Sequence, residues 1–441
     1  MVWNLYPYQL DGAAWLGDTP PGALRILADD MGLGKTGQAL GAAELCGARD
    51  INIVCPAMVR QVWPGEIEKF WPERSRDVTV ITSKHDRVPS GGIVIASYEQ
   101  AVAKDLLARR KADVTIFDEA HYLKEKRARR TKAAYSKRAH NPDGRVFALT
   151  GTPIPNGPWE LYPHLSRSGA WRWGYMAFMD QFCQFADLPY GRKFVGMKNV
   201  GQLREMLYGI MLRRVPSSST VQLPPIHQHP LYIDGSGESM DEIRAIEREI
   251  GDEIRKRAED ATHGGGIVSK ISREADHIAT LRRLIGTAKA PAVAQSARRM
   301  MESGETDGIL IFAIHKDVIR RLADELADFE PYVVDGSTSI KARQDACAGF
   351  MKDGQRCIMI ANITTAGTGI TLTQCRTCIF AESDWTPANN LQAMRRIHRI
   401  GQSRDVDVHW AELIGSVDEN VTETLQRKRQ IIDEILIDRT V

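Results

Sequence analysis

The chain has 441 residues, is 43% hydrophobic and carries a formal net charge of +2. Those values suit about two to four packed domains and exclude both a disordered polyelectrolyte and a globally cationic nucleic-acid binder, so any contact with nucleic acid must come from local patches. No apolar run is long enough to span a bilayer, the start MVWNLYPYQL lacks the plan of a secretory leader, and seven scattered cysteines fit a reducing interior, so an intracellular protein (cytoplasmic or nucleoid-associated) is expected.

The first segment, LYPYQLDGAAWL, has helical apolar spacing at Leu10, Ala13, Ala14 and Trp15. Tyr8 and Gln9 sit at its mouth, and a glutamine amide can both donate to and accept from an adenine edge. LADDMGLGKT follows, read as a strand end, a glycine-bearing turn and the first turn of a helix. Gly32 and Gly34 let successive N–H groups of the Asp30, Met31, Leu33 stretch face one concavity, which suits a polyphosphate at a helix N-terminus. Lys35 can reach β- and γ-phosphate oxygens, and the Thr36 hydroxyl can ligate Mg²⁺. Asp29 stands where the general motif wants a small residue.

Short Val/Ile-rich runs then alternate with helix-length segments: INIVCP, VTVITS, GIVIASYE, DVTIFDEAH and RVFALTGTP. That alternation predicts a parallel sheet covered on both faces, with ligands beyond the carboxyl ends of its strands. Asp118 emerges at such an end, placed to hold Mg²⁺, and Glu119 is placed to orient or deprotonate a water attacking the γ-phosphate. Thr150 and Thr152 close the next strand with two hydroxyls. Between them, His121 to His140 is dense in Lys and Arg with Glu125 its only acid. One-sided charge of this density favours contact with a phosphate backbone, and Lys126, Arg127, Arg129 and Arg130 are its candidates.

In order, Tyr8-Gln9, DDMGLGKT, CPAMVRQVW, IVIASYE, DEAH and LTGTP resemble the helicase motifs of the Swi/Snf family, superfamily-two translocases that walk on double-stranded DNA using ATP. Asp29 is normal in that family. The resemblance implies an α/β fold of two RecA-like parallel-sheet lobes with helical protrusions. It also implies ATP and Mg²⁺ as cofactors, and duplex or forked DNA as partner, with Arg60 among the DNA contacts. Tracking 3′ to 5′ by a single copy of the chain without routine strand separation is expected.

From Pro155 to Trp173 the chain is rich in Pro, Trp and Tyr and the strand pattern stops. ELYPHL, FMDQFCQF, MLRR and the LPP connector at Leu223 to Pro225 resemble the family's protrusions and inter-lobe linker, with Met211 to Arg214 closing the first protrusion. His227 and His229 are expected as solvent-facing loop residues of that connector. Ile243, Ile246, Ile250 and Ile254 mark an amphipathic helix broken at Gly264 to Gly266.

GILIFAIHK, PYVVDGSTS and RCIMIANITTAGTGITL predict a second parallel sheet. Thr364, Thr365, Thr368 and Gly369 offer small groups to phosphates. Cys375 and Cys378 form a CxxC without a second pair, so a structural role is expected. If QAMRRIHRIGQ is helical, Gln392, Arg396 and Arg399 share one face, and two guanidiniums suit a γ-phosphate across a cleft. IFAIHK, DGSTS, ITTAGTGITL, FAESDWTP and HRIGQ resemble the annealing-helicase (HARP-like) branch. Motif five departs from the commoner spelling, and the motor consumes the chain, leaving no recruitment tail, extra DNA-recognition domain or nuclease domain to place.

The expected division is a first lobe over 1–155, protrusions and linker over 156–300, a second lobe over 301–415 and a brace helix over 416–441. The function expected is a DNA-stimulated ATPase and translocase. A strand-separating DNA or RNA helicase and a nucleotide-switched DNA clamp with little turnover are its rivals.

Overall fold

A computed structural model describes residues 5–188, 191–216, 223–234, 240–241, 243–248, 270–353, 357–366, 372–416 and 418–436. In chain order the strands are β1 (Leu24–Leu27), β2 (Ile51–Cys55), β3 (Val78–Val80), β4 (Ile93–Ser97), β5 (Val114–Asp118), β6 (Arg145–Leu149), β7 (Cys183–Leu188), β8 (Gly191–Met197), β9 (Met211–Leu212), β10 (Ile226–Ile233), β11 (Gly308–Ala313), β12 (Tyr332–Val334), β13 (Cys357–Asn362), β14 (Thr377–Phe380) and β15 (Val406–Leu413). They form a seven-stranded sheet in the order β3-β4-β2-β5-β6-β1-β9, a six-stranded sheet in the order β10-β15-β14-β11-β13-β12, and the pair β7-β8. Every pairing in the two large sheets is parallel.

The chain divides into two compact units, one of Met1–Gln184, Gly196–Gln222 and Gln430–Val441, the other of Phe185–Val195 and Leu223–Arg429. In the first, alternate residues of each strand enter opposite cores. Ile26, Val54, Val94, Phe117 and Ala148 pack on one face with Leu165, Phe178 and Phe182. Leu27, Ile53, Ile95, Ile116 and Phe147 pack on the other with Leu40, Trp63 and Ile67. Period-2 alternation with both sides apolar is what a doubly covered parallel sheet demands. Ile435, the last residue of the helix Asp418–Ile435, is buried in the first of these cores.

The second unit repeats the plan. Leu281, Ile285, Val293, Ala297 and Met301 of the long helix Lys270–Glu302 pack on one sheet face with Ile309, Ile311 and Ile360. Leu310, Phe312, Phe380, Cys375 and Cys378 line the other face. Both cysteines are free, and the Cys375 thiol donates to the carbonyl oxygens of Gly308 and Thr377, as a structural role requires. No described helix is long and apolar enough to cross a membrane.

The middle differs from its expected helical character. Met211 and Leu212, expected to close a protrusion, are instead β9, paired with Ile26 and Leu27. His227 and His229 lie in β10 rather than in a loop, exposed as expected, with imidazoles 3.1 Å from Asp405 and Asp407. Their cross-strand acids explain why so polar a stretch pairs as a strand. Ile243 is buried and Ile246 packs beside it, whereas Ile250, Ile254 and the glycine run lie outside the described residues.

Glu382, just past β14, ties two strand ends together. Its carboxylate accepts from the N–H groups of Ile314 (2.7 Å) and His315 (2.9 Å) and lies 2.7 Å from His315 Nδ1. Burial pushes its pKa up, but the His315 ring and these backbone donors outweigh that and hold it below the ordinary value. Its stabilisation is therefore complete above the unfolded carboxyl pKa and is lost as pH falls through the lower folded value. Denaturant titration should find Glu382→Gln less stable by about 1.5–3 kcal/mol at pH 7, with the gap narrowing below about pH 4.

Candidate nucleotide and nucleic-acid sites

Four adjacent strands of the first sheet, β5-β6-β1-β9, end in Asp118, Thr150, Asp29 and Arg214 respectively, or within two residues of them. Between β1 and the helix Lys35–Leu45 the chain turns through Gly32 (φ 85°) and Gly34 (φ 72°), both in the left-handed region that glycine enters without strain. Lys35 Nζ folds back to donate to the carbonyl oxygens of Asp29 (2.8 Å) and Asp30 (3.2 Å). Burial lowers its pKa against the attraction of Glu119, Asp29, Asp30 and Asp118. A side chain on Gly151 would collide with Met31 and come within 3.4 Å of Lys35 Nζ, so the turn after β6 is closely packed against this loop. Thr36 is half-buried in the first helical turn.

Asp118 receives Trp63 Nε1–H at 3.0 Å and the Glu119 N–H at 3.0 Å, while Tyr98 donates to its backbone carbonyl at 2.8 Å. Burial, then the charge of Glu119, pushes its carboxyl up to about 7. Glu119 holds a left-handed backbone (φ 50°), uncommon outside glycine and a feature of functional turns. Its carboxylate lies 3.2 Å from His121 Nδ1, and that nitrogen lies 3.3 Å from Thr150 Oγ1 and 3.4 Å from Thr152 Oγ1. The expected hydroxyls of LTGTP thus reach the acidic pair through a histidine. A carboxyl that burial and a neighbouring carboxylate keep from ionising, beside a half-buried ammonium, fits a divalent cation and a polyphosphate.

Asp29 has a larger part than the loop motif suggested. It is fully buried, and Arg214, 3% exposed, donates to it through Nε (3.0 Å), Nη2 (2.5 Å) and its backbone N–H (3.1 Å). Gln38 donates to Asp29 (3.1 Å) and to the Leu33 carbonyl (3.1 Å), and its own Oε1 accepts from Arg214 (2.7 Å). Arg214 also donates to the carbonyl of Tyr8. Gln38 and Trp63 have no assigned role in the sequence, and Arg214 is read there only as the end of the first protrusion. A buried acid just past a strand calls for a cation, and the paired arginines after Met211-Leu212 were the available signal.

Tyr8 and Gln9 are both buried. Gln9 Nε2 donates to the Leu33 carbonyl (3.1 Å) and its Oε1 accepts from the Tyr6 N–H (3.0 Å). Tyr8 O–H also donates to the Leu33 carbonyl (3.2 Å), and burial raises its pKa to about 12.

The basic segment is divided. Arg127 and Arg129 are exposed. Lys126 Nζ instead sits 4.0 Å from the Tyr175 ring centre, and Arg130 donates to the Tyr122 carbonyl (2.6 Å) with its guanidinium over that ring. Arg60 is half-buried in the turn after β2. In the second unit Thr364 is exposed and donates to Asn362 Oδ1 (2.7 Å), whereas Thr365 is buried; Gly369 lies outside the described residues. The expected arginine helix stops early. Helix Pro387–Met394 carries buried Gln392, and the chain then continues in turns, so Arg396 and Arg399 do not share a helical face with it. The Arg396 carbonyl accepting from the Leu372 N–H (2.9 Å) and Gln402 N–H bonding to Arg399 (3.0 Å) redirect the backbone there.

Residues 8–274 match the SNF2-related domain, and residues 292–401 match the helicase conserved C-terminal domain. The chain belongs to the SNF2-related family. It is similar to "SWI/SNF-related matrix-associated actin-dependent regulator of chromatin subfamily A-like protein 1" of Xenopus tropicalis, 30% identical over 439 residues, covering 98% of this chain and 45% of that protein. It is 28% identical over 455 residues to "DNA annealing helicase and endonuclease ZRANB3" of Bos taurus, covering 98% and 40%. This SNF2-related chain therefore spans less than half the length of these relatives. Among solved structures, "Sulfolobus solfataricus SWI2/SNF2 ATPase core in complex with dsDNA" aligns over 98% of this chain and 93% of that one, at 22% identity and TM-score 0.45. The two parallel-sheet units are the two α/β lobes expected from the motifs.

Removing Arg214 would leave the Asp29 carboxylate buried without its cation. Arg214→Ala should cost about 3–5 kcal/mol, and the double variant with Asp29→Asn should recover part of it. A double-mutant cycle by denaturant unfolding measures the coupling.

Proposed function

We propose that this chain is an ATP-driven motor on double-stranded DNA whose hydrolysis is stimulated by DNA. The observation that supports it most is the convergence of Lys35, Asp118, Glu119, His121 and two threonine hydroxyls at neighbouring strand ends, in a chain of this family. Lys35 exchanges its loop carbonyls for phosphate oxygens when ATP binds. Thr36 and Asp118 would hold Mg²⁺, which when bound supplies positive charge to the β- and γ-phosphates. Glu119 takes the proton of the water attacking the γ-phosphorus as the bond to the ADP oxygen breaks. His121 carries the state of that carboxylate to Thr150 and Thr152. Tyr8, Gln9 and Gln392 are assigned to the nucleotide, and Arg396 and Arg399 to γ-phosphate charge in the DNA-bound state.

Arg60, Lys126, Arg127, Arg129, Arg130, Thr364 and Thr365 are assigned to DNA phosphates, which give affinity with little sequence preference. The relative named as a DNA annealing helicase supports rewinding of forked or bubbled DNA as the task, performed by a single copy of the chain inside the cell.

Glu119→Gln should bind ATP normally and hydrolyse it on the order of 10²–10⁴ more slowly, as steady-state turnover and nucleotide binding will measure; turnover within about twofold of the parent would remove Glu119 as the base.

DNA binding tests the basic segment. Neutralising Arg127 and Arg129 together should weaken duplex binding on all sequences alike and lower the log–log salt slope by about 0.9 per lost phosphate contact. The same preparation, assayed for ATPase with duplex, forked and single-stranded DNA and with RNA, separates this reading from its rivals. A clamp shows no DNA-stimulated turnover, and a strand-separating helicase unwinds rather than rewinds the fork.

A further inference from the structure

Trp173 is 65% exposed, as open to solvent as any large apolar side chain among the described residues. It does not hang loosely. Its ring lies 4.9 Å from that of Trp171, which is 6% exposed and meets Phe178 and Phe182 at 5.5 Å each, deep in the first unit's core. Trp171 Nε1 also donates to the Gly174 carbonyl (3.4 Å), fixing the turn that leads into the helix Tyr175–Phe182. An aromatic face is thereby anchored on a rigid base and turned to water.

Its surroundings are cationic. Arg172 is exposed beside it, and Met176, 63% exposed, extends the apolar surface. Two residues on, the Tyr175 ring holds Lys126 Nζ at 4.0 Å, and the Tyr162 ring lies 5.1 Å from that of Tyr175. Lys126 brings the basic segment to this helix start, with Arg127 close enough to act electrostatically on Tyr175. Of the nearby acids, Glu160 is paired with Lys124 (3.1 Å), Glu125 accepts from the Arg127 N–H (3.0 Å), and Asp180 lies in the last turn of the helix.

A flat apolar face with Arg172 next to it in the chain, and Lys126 against the Tyr175 ring two residues on, is complementary to a polyanion that also carries flat faces. Only unpaired bases meet that description, because bases in duplex DNA already stack on one another. We propose that Trp173 is a stacking platform for an unpaired base, with Arg172 and Lys126 on the adjoining phosphates, so that the preferred substrate is duplex DNA bearing a single-stranded arm. This rests on the DNA-motor reading and deepens it, since it places recognition of the arm within the motor itself.

The test uses the full chain and two labelled oligonucleotides of about 15 residues, one oligothymidylate and one abasic throughout, read by fluorescence anisotropy at one salt concentration. Trp173→Ala should bind oligothymidylate about 5- to 150-fold more weakly, as loss of one aromatic stack predicts, and the abasic strand as tightly as before. Trp173→Phe should retain most of the affinity. ATPase stimulation of Trp173→Ala by blunt duplex should be unchanged, while its stimulation by a fork falls to the duplex level. Equal affinity of the parent for the two strands, or a Trp173→Ala variant that still prefers bases and forks, would overturn the platform and leave a surface for a protein partner. Failure of blunt duplex to stimulate the parent ATPase would instead sink the motor reading, and the two-oligonucleotide comparison would still judge Trp173.

Discussion

The glycine turn after β1 depends on one buried ion pair. Asp29 and Arg214 are far apart in sequence, yet each lies just past a strand end, and β1 beside β9 brings them together. A buried carboxylate without a cation is strongly destabilising, whereas a pair with this many hydrogen bonds is tolerated and fixes geometry. Gln38 extends the pair into the helix that follows the loop, and Arg214 reaches the first helix through the Tyr8 carbonyl. Leu33 then receives three donors, from Tyr8, Gln9 and Gln38. The shape of the proposed phosphate cradle is thus set by side chains on three separate segments rather than by its glycines alone.

Much of this was legible in the residues. Strands with strong Val/Ile runs fell where they were expected, because a doubly covered parallel strand has a continuous apolar signal. Asp118, Glu119 and Lys35 lie at the strand end and glycine turn where the motifs put them, because those backbone features have local sequence signals. Three elements were not. β9 is only two residues long, too short for any periodicity to register. β10 reads as a polar connector because its side-chain contacts are histidines on Asp405, just before β15, and on Asp407 within it, rather than an apolar alternation. The arginines after Met394 have helical spacing on paper, but a tertiary backbone bond from Leu372 to Arg396 and a local turn bond from Gln402 to Arg399 redirect the chain.

Exposure was the least legible property. Lys126 and Arg130 look like a uniform basic stripe with their neighbours, yet aromatic rings and carbonyls occupy them, and of the four candidates only Arg127 and Arg129 stand open. Gln9 reads as a surface polar residue and is buried, because its amide satisfies backbone groups of the loop it covers. Partners of that kind are set by tertiary placement, which local sequence does not encode.

The first unit is discontinuous along the chain, and this bears on its biosynthesis. Its sheet lacks an edge until Met211–Leu212 is made, and its core takes in Ile435, six residues from the end of the sequence given. Domains made early on the ribosome ordinarily fold as they emerge. Here the lobe that begins first has to wait for the last helix, so nearly the whole second unit is synthesised before the first can complete its core. During that interval the patch of core that Ile435 covers stays open, an exposure that a chaperone resting on the nascent chain would relieve.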